Sequence, residues 1–360
     1  MTDEPAASRL RRTGRTVIQY VLGVGIGALI LVLLAGKRGE FAAALRHLDH
    51  LNVAWAVGAI LVEALSIVGY GFLQQRVLAW SGAELTLASL TLVSLANNAI
   101  AYTVPGEPAV SSAYRYRFFR RHGASGASAG WTILTILIAQ AIGMSLLLLI
   151  GALVALAGHT GVPARGTVIV GLFVVVIAGA FLVRRDLLLR CFGSIVKLFQ
   201  RLTGHPRGDV LLRVESTLER MRQIPLSSFA ATVLVIMATA LWLADFLVLI
   251  CCFGAVHAPI PWSGVLLAFG VAQIAASLPL IPGGIGIVEG SLAVILVAYG
   301  AHKVPALAVV FVYRLLTFWL VIIVGWISIG FIEWRARRSV TSVARENSSA
   351  RGIDIWGHKW

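Results

Sequence analysis

Charge is scarce in this sequence. Asp, Glu, Lys and Arg make up 13% of its 360 residues, while 58% are hydrophobic. A soluble domain needs a surface rich in charge, so that class is excluded. Carboxylates are the rarer sign, 16 against 30 Lys and Arg, which leaves a net charge of +14. The segments expected outside the membrane hold too few carboxylates for metal-assisted chemistry, so the chain is not expected to be an enzyme. Cysteine is nearly absent. Cys191, Cys251 and Cys252 have neither the spacing of a zinc site nor the pattern of a disulfide framework, and core packing is their reading. The eight histidines form no H-E-x-x-H or similar set, so no metal and no cofactor is expected. Alternation of apolar and polar positions is also missing, which excludes a membrane β-barrel.

What the sequence has is a series of long apolar runs, and runs of roughly 20 such residues cross a bilayer as helices. The fold class is therefore an all-α polytopic membrane protein. Six spans are expected, at 16–35, 52–73, 126–157, 166–183, 227–253 and 304–332. The first follows Arg9, Arg11, Arg12 and Arg15, as in a signal peptide, but it is longer than the usual h-region and reads as an uncleaved span. Its glycines, Gly23, Gly25 and Gly27, follow no strand, so they make a helix-packing face and no nucleotide loop. Residues 1–15 are then a cytoplasmic basic N-terminus, 16–335 the transmembrane domain, and 336–360 a flexible cytoplasmic tail. The excess of positive charge reflects topology and attraction to anionic headgroups, and nucleic acid is not an expected partner.

Two polar interruptions break the apolar sequence. One is Pro282-Gly283-Gly284-Ile285-Gly286, with Glu289 close behind; the other is Pro105-Gly106-Glu107-Pro108. Proline and clustered glycine cannot continue a helix. Irregular backbone at membrane depth is tolerated only where protein buries it or where it lines a wet cavity. Pro105-Gly106 matches Pro282-Gly283 at an offset of 177 residues, and Gly123-Ala124 matches Gly300-Ala301 at the same offset. A repeat with halves at about 52–157 and 227–332 is the expectation; two unrelated helix breaks are the competing reading.

Topology follows if both interrupted segments are re-entrant helical hairpins and the N-terminus is cytoplasmic. All Lys and Arg except Lys37, Arg38, Arg46, Arg165, Lys303 and Arg314 then fall on the cytoplasmic side, nine of them in the basic linker 184–224. That asymmetry is what the positive-inside rule demands. Both termini are cytoplasmic, the two hairpins enter from opposite faces, and the repeats are inverted. Inverted repeats with broken helices at their centre are a transporter arrangement. The half-helices would aim free N–H groups and positive dipole ends at an anionic group.

Pro282-Gly283-Gly284-Ile285-Gly286-Ile287-Val288-Glu289 resembles the P-G-G-[LI]-G-x-x-E signature of the lysylphosphatidylglycerol synthase transmembrane region family. This is the flippase-like domain of the multiple peptide resistance factors and of many stand-alone membrane proteins. Asn97-Asn98, Pro105-Gly106 and the basic run through Arg121 resemble its first-half motif, with Pro-Gly-Glu-Pro in place of a second glycine pair. The resemblance spans most of residues 16–335. It implies lipid translocation. The aminoacyl-transferase domain of the bifunctional members is not expected here, so neither is lysyl transfer to lipid.

The candidate substrate-binding residues are Pro105, Gly106, Glu107, Arg115, Arg117, Pro282, Gly283, Gly284, Gly286, Glu289 and Arg314, with Asn97 and Asn98. Each also has a structural reading. Glu289 binds a proton or a cationic headgroup, or else pairs with Arg314 and caps its helix. Arg314, in mid-span, contacts phosphate or pairs with Glu289 or Asp245, with simple snorkelling as the bland alternative. Glu107 has the same two readings as Glu289. Arg115 and Arg117 hold phosphate at the cytoplasmic mouth, or serve topology and snorkelling. Asn97, Asn98 and Gln273 suit interhelical hydrogen bonds as well as ligands. Glu63, Asp245 and Glu289 are candidate proton carriers; Glu63 and Asp245 suit buried partners as well, and neither has a mate at the repeat offset.

The leading functional expectation is a multi-pass protein of the cell (inner or plasma) membrane. It would move a phospholipid or polyprenyl-phosphate-linked lipid between leaflets through a midplane cavity. Its expected partner is a membrane lipid with an anionic headgroup; a homo-oligomer or an envelope-protein partner is the further one. A non-transporting envelope scaffold and a membrane-embedded lipid-modifying transferase are the rivals.

Overall fold

The computed structural model describes residues 51–104, 107–158, 226–277 and 282–335, with Arg220 and Ile224 besides. All regular structure among the described residues is helical. In chain order the helices are α1 Val53–Trp80, α2 Leu87–Thr103, α3 Glu107–Arg121, α4 Gly126–Ala157, α5 Ser228–Ala255, α6 Val265–Ser277, α7 Ile287–Ala298 and α8, which runs Lys303–Arg335. Four of them, α1, α4, α5 and α8, are long and apolar enough to cross a membrane; α6 and α7 are shorter and apolar. The expected spans 16–35 and 166–183, the segment 1–15, the tail 336–360 and nearly all of the linker 184–224 lie outside the described residues.

Local chemistry sets the helix boundaries. Asn52, Thr86, Ser125 and Ser227 each cap an N-terminus by accepting a backbone N–H through the side chain. The 52–73 reading ends at Leu73, yet α1 continues to Trp80. Its polar residues there have partners: Gln74 Nε2 donates to Ser94 Oγ at 2.6 Å, Gln75 Nε2 donates to the Leu85 carbonyl at 2.9 Å, and the Arg76 guanidinium lies 4.8 Å from the Phe72 ring centroid. The Ser94 contact pins α1 to α2.

The C-terminal caps recur in pairs. After α3, Gly123 has φ +92° and the Ala124 N–H donates to the Phe119 carbonyl; after α7, Gly300 has φ +97° and the Ala301 N–H donates to the Leu296 carbonyl. After α1, Gly82 (φ +77°) is followed by an Ala83 N–H that donates to Leu78. After α5, His257 (φ +56°) is followed by an Ala258 N–H that donates to Phe253. These are Schellman caps, whose left-handed residue is normally glycine. The succession long, short, short, long therefore occurs twice, with matching caps.

Helix α5 packs on α1 and α4, α6 on α4 and α7, α2 on α1 and α3, and α8 on α7 and α5. Small residues let the backbones approach closely: Gly143 meets the Thr239 backbone, Gly151 the Leu267 backbone and Gly71 the Thr91 backbone. Helices α1 and α5 run antiparallel. The Asn52 N–H, at the start of α1, donates to the Ala255 carbonyl at the end of α5 at 2.9 Å. The largest core joins α5 to α8 through Leu249, Phe253, Phe269, Leu292 and Val309. Outward-facing Leu61, Leu65, Phe229, Ile236 and Ile327 are exposed, an arrangement suited to hydrocarbon.

Candidate functional site

Helices α1, α2, α4, α5, α6, α7 and α8 surround a cavity of about 200 Å³. Its polar lining comes from residues far apart in sequence. Glu63 and Tyr70 are on α1, Asn98 on α2, Gln140 on α4, Asp245 on α5 and Gln273 on α6; α8 contributes Tyr313, Arg314 and Thr317.

Arg314 sits where the broken segment meets α8. Only 8% of it is exposed. Its Nε donates to Glu289 Oε1 at 2.6 Å and its Nη2 to the Gly283 carbonyl at 2.9 Å, while the guanidinium carbon lies 4.0 Å from the Phe318 ring centroid. Its Nη1 has no hydrogen-bond partner among the described residues, and Arg314 lines the cavity. A π-helical turn, Leu315–Leu320, begins immediately after Arg314. Turns of this kind appear mostly as single bulges, frequently at functional sites. Here the turn carries Phe318, which also contacts Tyr102 of α2 at a centroid distance of 4.9 Å.

The break itself is a 3₁₀ turn, Pro282–Gly284, that packs against the C-terminal end of α2. Gly283 has φ +63°, and a Cβ there would overlap the Phe318 ring and lie 3.2 Å from the Tyr102 carbonyl. Both the conformation and the space require glycine. Gly286 begins α7 with φ +83°, and its N–H donates to Glu289 Oε2 at 2.6 Å. One carboxylate therefore closes the first turn of α7 and neutralises Arg314.

A second polar group also lines the cavity. Gln273 Nε2 donates to Asp245 Oδ2 at 2.8 Å and lies 3.2 Å from the Tyr313 hydroxyl, which donates to Asp245 Oδ1 at 3.2 Å. Both Asp245 oxygens thus accept from donors on other helices. Glu63 lines the same cavity and accepts no hydrogen bond among the described residues. Counted from the Asn52–Ala255 joint, Glu63 and Asp245 are each the eleventh helical residue, on antiparallel helices. At 1.5 Å per residue they share one level, about 15 Å from the joint.

The match with known proteins bears on this arrangement. The model of the lysylphosphatidylglycerol synthase TM region matches residues 20–325. The chain belongs to this family. No curated protein matches it. The matched range of this family member takes in every described helix through the π-helical turn of α8.

The candidate residues divide sharply. Arg314, Glu289 and Gly283 come together in one contact network, joined by the Gly286 N–H. Both structural readings of Glu289, the cap and the ion pair, are realised in it. Gly284 is buried beside Ala276, and Pro282 opens the turn. Asn98 lines the cavity, whereas Asn97 is buried away from its lining with Oδ1 unpartnered among the described residues. Arg115 does not line the cavity but reaches it through Tyr70, whose hydroxyl accepts from Nη1 at 2.8 Å. Arg117 is exposed. Arg120 donates to the Ala124 carbonyl at 2.9 Å, a capping role, and Arg121 pairs with Glu333 at 3.7 Å. Glu107 begins α3; Pro105 and Gly106 lie outside the described residues.

Tyr70, Gln140, Trp242, Tyr313 and Thr317 escaped the sequence reading. An isolated aromatic or hydroxyl residue in an apolar run looks like core. The one available signal was Tyr313, which directly precedes Arg314.

Proposed function

We propose that this protein is a lipid translocase of the cell membrane, with no chemical step, that moves a headgroup between leaflets through the cavity. On this reading α2–α3 and α6–α7 are re-entrant hairpins of two inverted repeats, six helices span the bilayer, and both termini are cytoplasmic. The lipid is a phospholipid or a polyprenyl-phosphate-linked lipid. Its phosphate meets Arg314 Nη1, while its tails stay in hydrocarbon.

One observation carries the reading. A cavity holding Arg314, Asp245 and Glu63 sits among helices whose outer surfaces are apolar. Charges inside a membrane are expensive and line substrate or ion routes. Arg314 lines the cavity with one amino group that has no partner among the described residues, and a guanidinium suits phosphate.

The test is native mass spectrometry of the protein purified in mild detergent, beside a dithionite-quench assay of fluorescent lipids in proteoliposomes. The expected result is a retained anionic lipid class and accelerated flipping, both reduced in Arg314→Ala. Bulk lipid only, unchanged by the substitution, together with background flipping, overturns the reading and favours a scaffold.

A further inference from the structure

We propose that the cavity takes up a proton together with the anionic headgroup, and that Glu63 is the seat of that proton. The inference rests on the headgroup reading above and adds an ion to it.

Most of the charge around the cavity is already matched. Arg314 is neutralised by Glu289 at 2.6 Å, so the pair adds no net charge to the cavity. Asp245 accepts at both oxygens, from Gln273 and from Tyr313, and these hydrogen bonds favour its ionised form. Glu63 has no donor at all among the described residues. It lies at the level of Asp245 on an antiparallel helix in the same small cavity.

The other ionisable groups around this pair offer Glu63 no positive charge beyond Arg314 and Arg115 of α3, whose Nη1 donates to the Tyr70 hydroxyl at 2.8 Å. They are Tyr70 on α1, Tyr102 on α2, Cys252 on α5 and Tyr313 on α8, with Glu289 of α7 engaged by Arg314. Helix α4 contributes only Gln140, whose buried Oε1 is a further acceptor without a donor among the described residues. Two carboxylates sharing one desolvated site do not both stay ionised once further negative charge arrives. A phosphate at Arg314 Nη1 is that charge. A proton from bulk solvent, supplied by the buffer, then converts the Glu63 carboxylate to the neutral acid. When the headgroup leaves, the proton returns to water.

Calorimetry tests the coupling. Short-chain phosphatidylglycerol is titrated into the full chain in mild detergent, in two buffers of different ionisation enthalpy and in sodium or potassium salt. Above the pH at which Glu63 titrates without lipid, about one proton is expected to enter per lipid bound, with affinity rising up to tenfold per unit fall in pH. E63Q should bind without proton uptake and without that slope, and E63D should restore both. Uptake that persists in E63Q, or affinity that follows sodium and ignores pH, overturns the proposal.

A lipid-free measurement separates the two readings. Infrared spectroscopy should show a carboxylic acid C=O band that titrates in the wild type and in D245N and is missing from E63Q. A band lost in D245N and kept in E63Q moves the seat to Asp245 and overturns the assignment. If the band behaves as expected but no probe lipid binds, the headgroup reading fails with the coupling, and Glu63 stands as a proton site alone.

Discussion

Arg314 holds Glu289 at 2.6 Å and, through its other edge, the carbonyl of Gly283 at 2.9 Å. A single guanidinium on α8 thus grips the broken segment at both ends of its Gly-rich turn. Glu289 in turn bonds the Gly286 N–H, so the turn, the start of α7 and the middle of α8 form one mechanical unit.

Breaking that unit on one side leaves a buried cation unpaired. Glu289→Gln should destabilise the protein by about 1–3 kcal/mol, less than a fully buried pair would lose because the Glu289 side chain is 34% exposed. The check is thermal unfolding in detergent. Glu289→Gln combined with Arg314→Met should lose less than the two single losses added together, since no unpaired charge remains.

Gly283 should tolerate no side chain. Gly283→Ala forces a left-handed residue against the Phe318 ring, and a loss of about 1–3 kcal/mol is expected. Gly290 is the control. It lies within α7 with open space around its Cα, and Gly290→Ala should be neutral or stabilise by roughly 0.5–1 kcal/mol. Melting temperatures of the two variants, measured side by side, decide it.

His257 occupies the left-handed cap position that Gly82, Gly123 and Gly300 hold elsewhere. It is exposed, so replacing it disturbs little packing. His257→Gly should raise stability by about 1 kcal/mol or less, while Gly82→Ala should lower it. Equal melting temperatures for the wild type and His257→Gly would show that the cap is unstrained.

The basic helix α3 should not act uniformly. Arg115 touches the cavity-lining Tyr70, whereas Arg117 is exposed. Arg115→Ala should therefore lower the yield of co-purified anionic lipid several-fold, whereas Arg117→Ala should leave it close to wild type. Equal effects would reduce α3 to a general electrostatic surface.

Much of the fold could be read in advance. Of the six expected spans, the four within the described residues are helices long and apolar enough to cross a membrane, and the Pro-Gly interruption at 282–286 lies between two shorter apolar helices. The Arg314–Glu289 pair was among the expected alternatives, because a buried cation in mid-span must find an anion and few were available. Boundaries were less legible. Helix α1 outruns its apolar stretch because Gln74 and Gln75 find acceptors on α2 and its preceding loop, contacts that no local hydropathy registers.

The sequence by itself determined the solvent. So few charges and such long apolar runs fold only where hydrocarbon replaces water, and there the backbone must satisfy itself as helix. It also determined where the chain must break. Only the tertiary structure decided which polar residues meet. Glu63 and Asp245 share no motif and no repeat offset; they face one cavity because α1 and α5 run antiparallel from a joint at Asn52 and Ala255. Gln273 and Tyr313 reach Asp245 from two further helices. Hydropathy acts on each helix alone, whereas the register between helices is set by small-residue packing and interhelical hydrogen bonds, which depend on pairs of segments far apart in the chain.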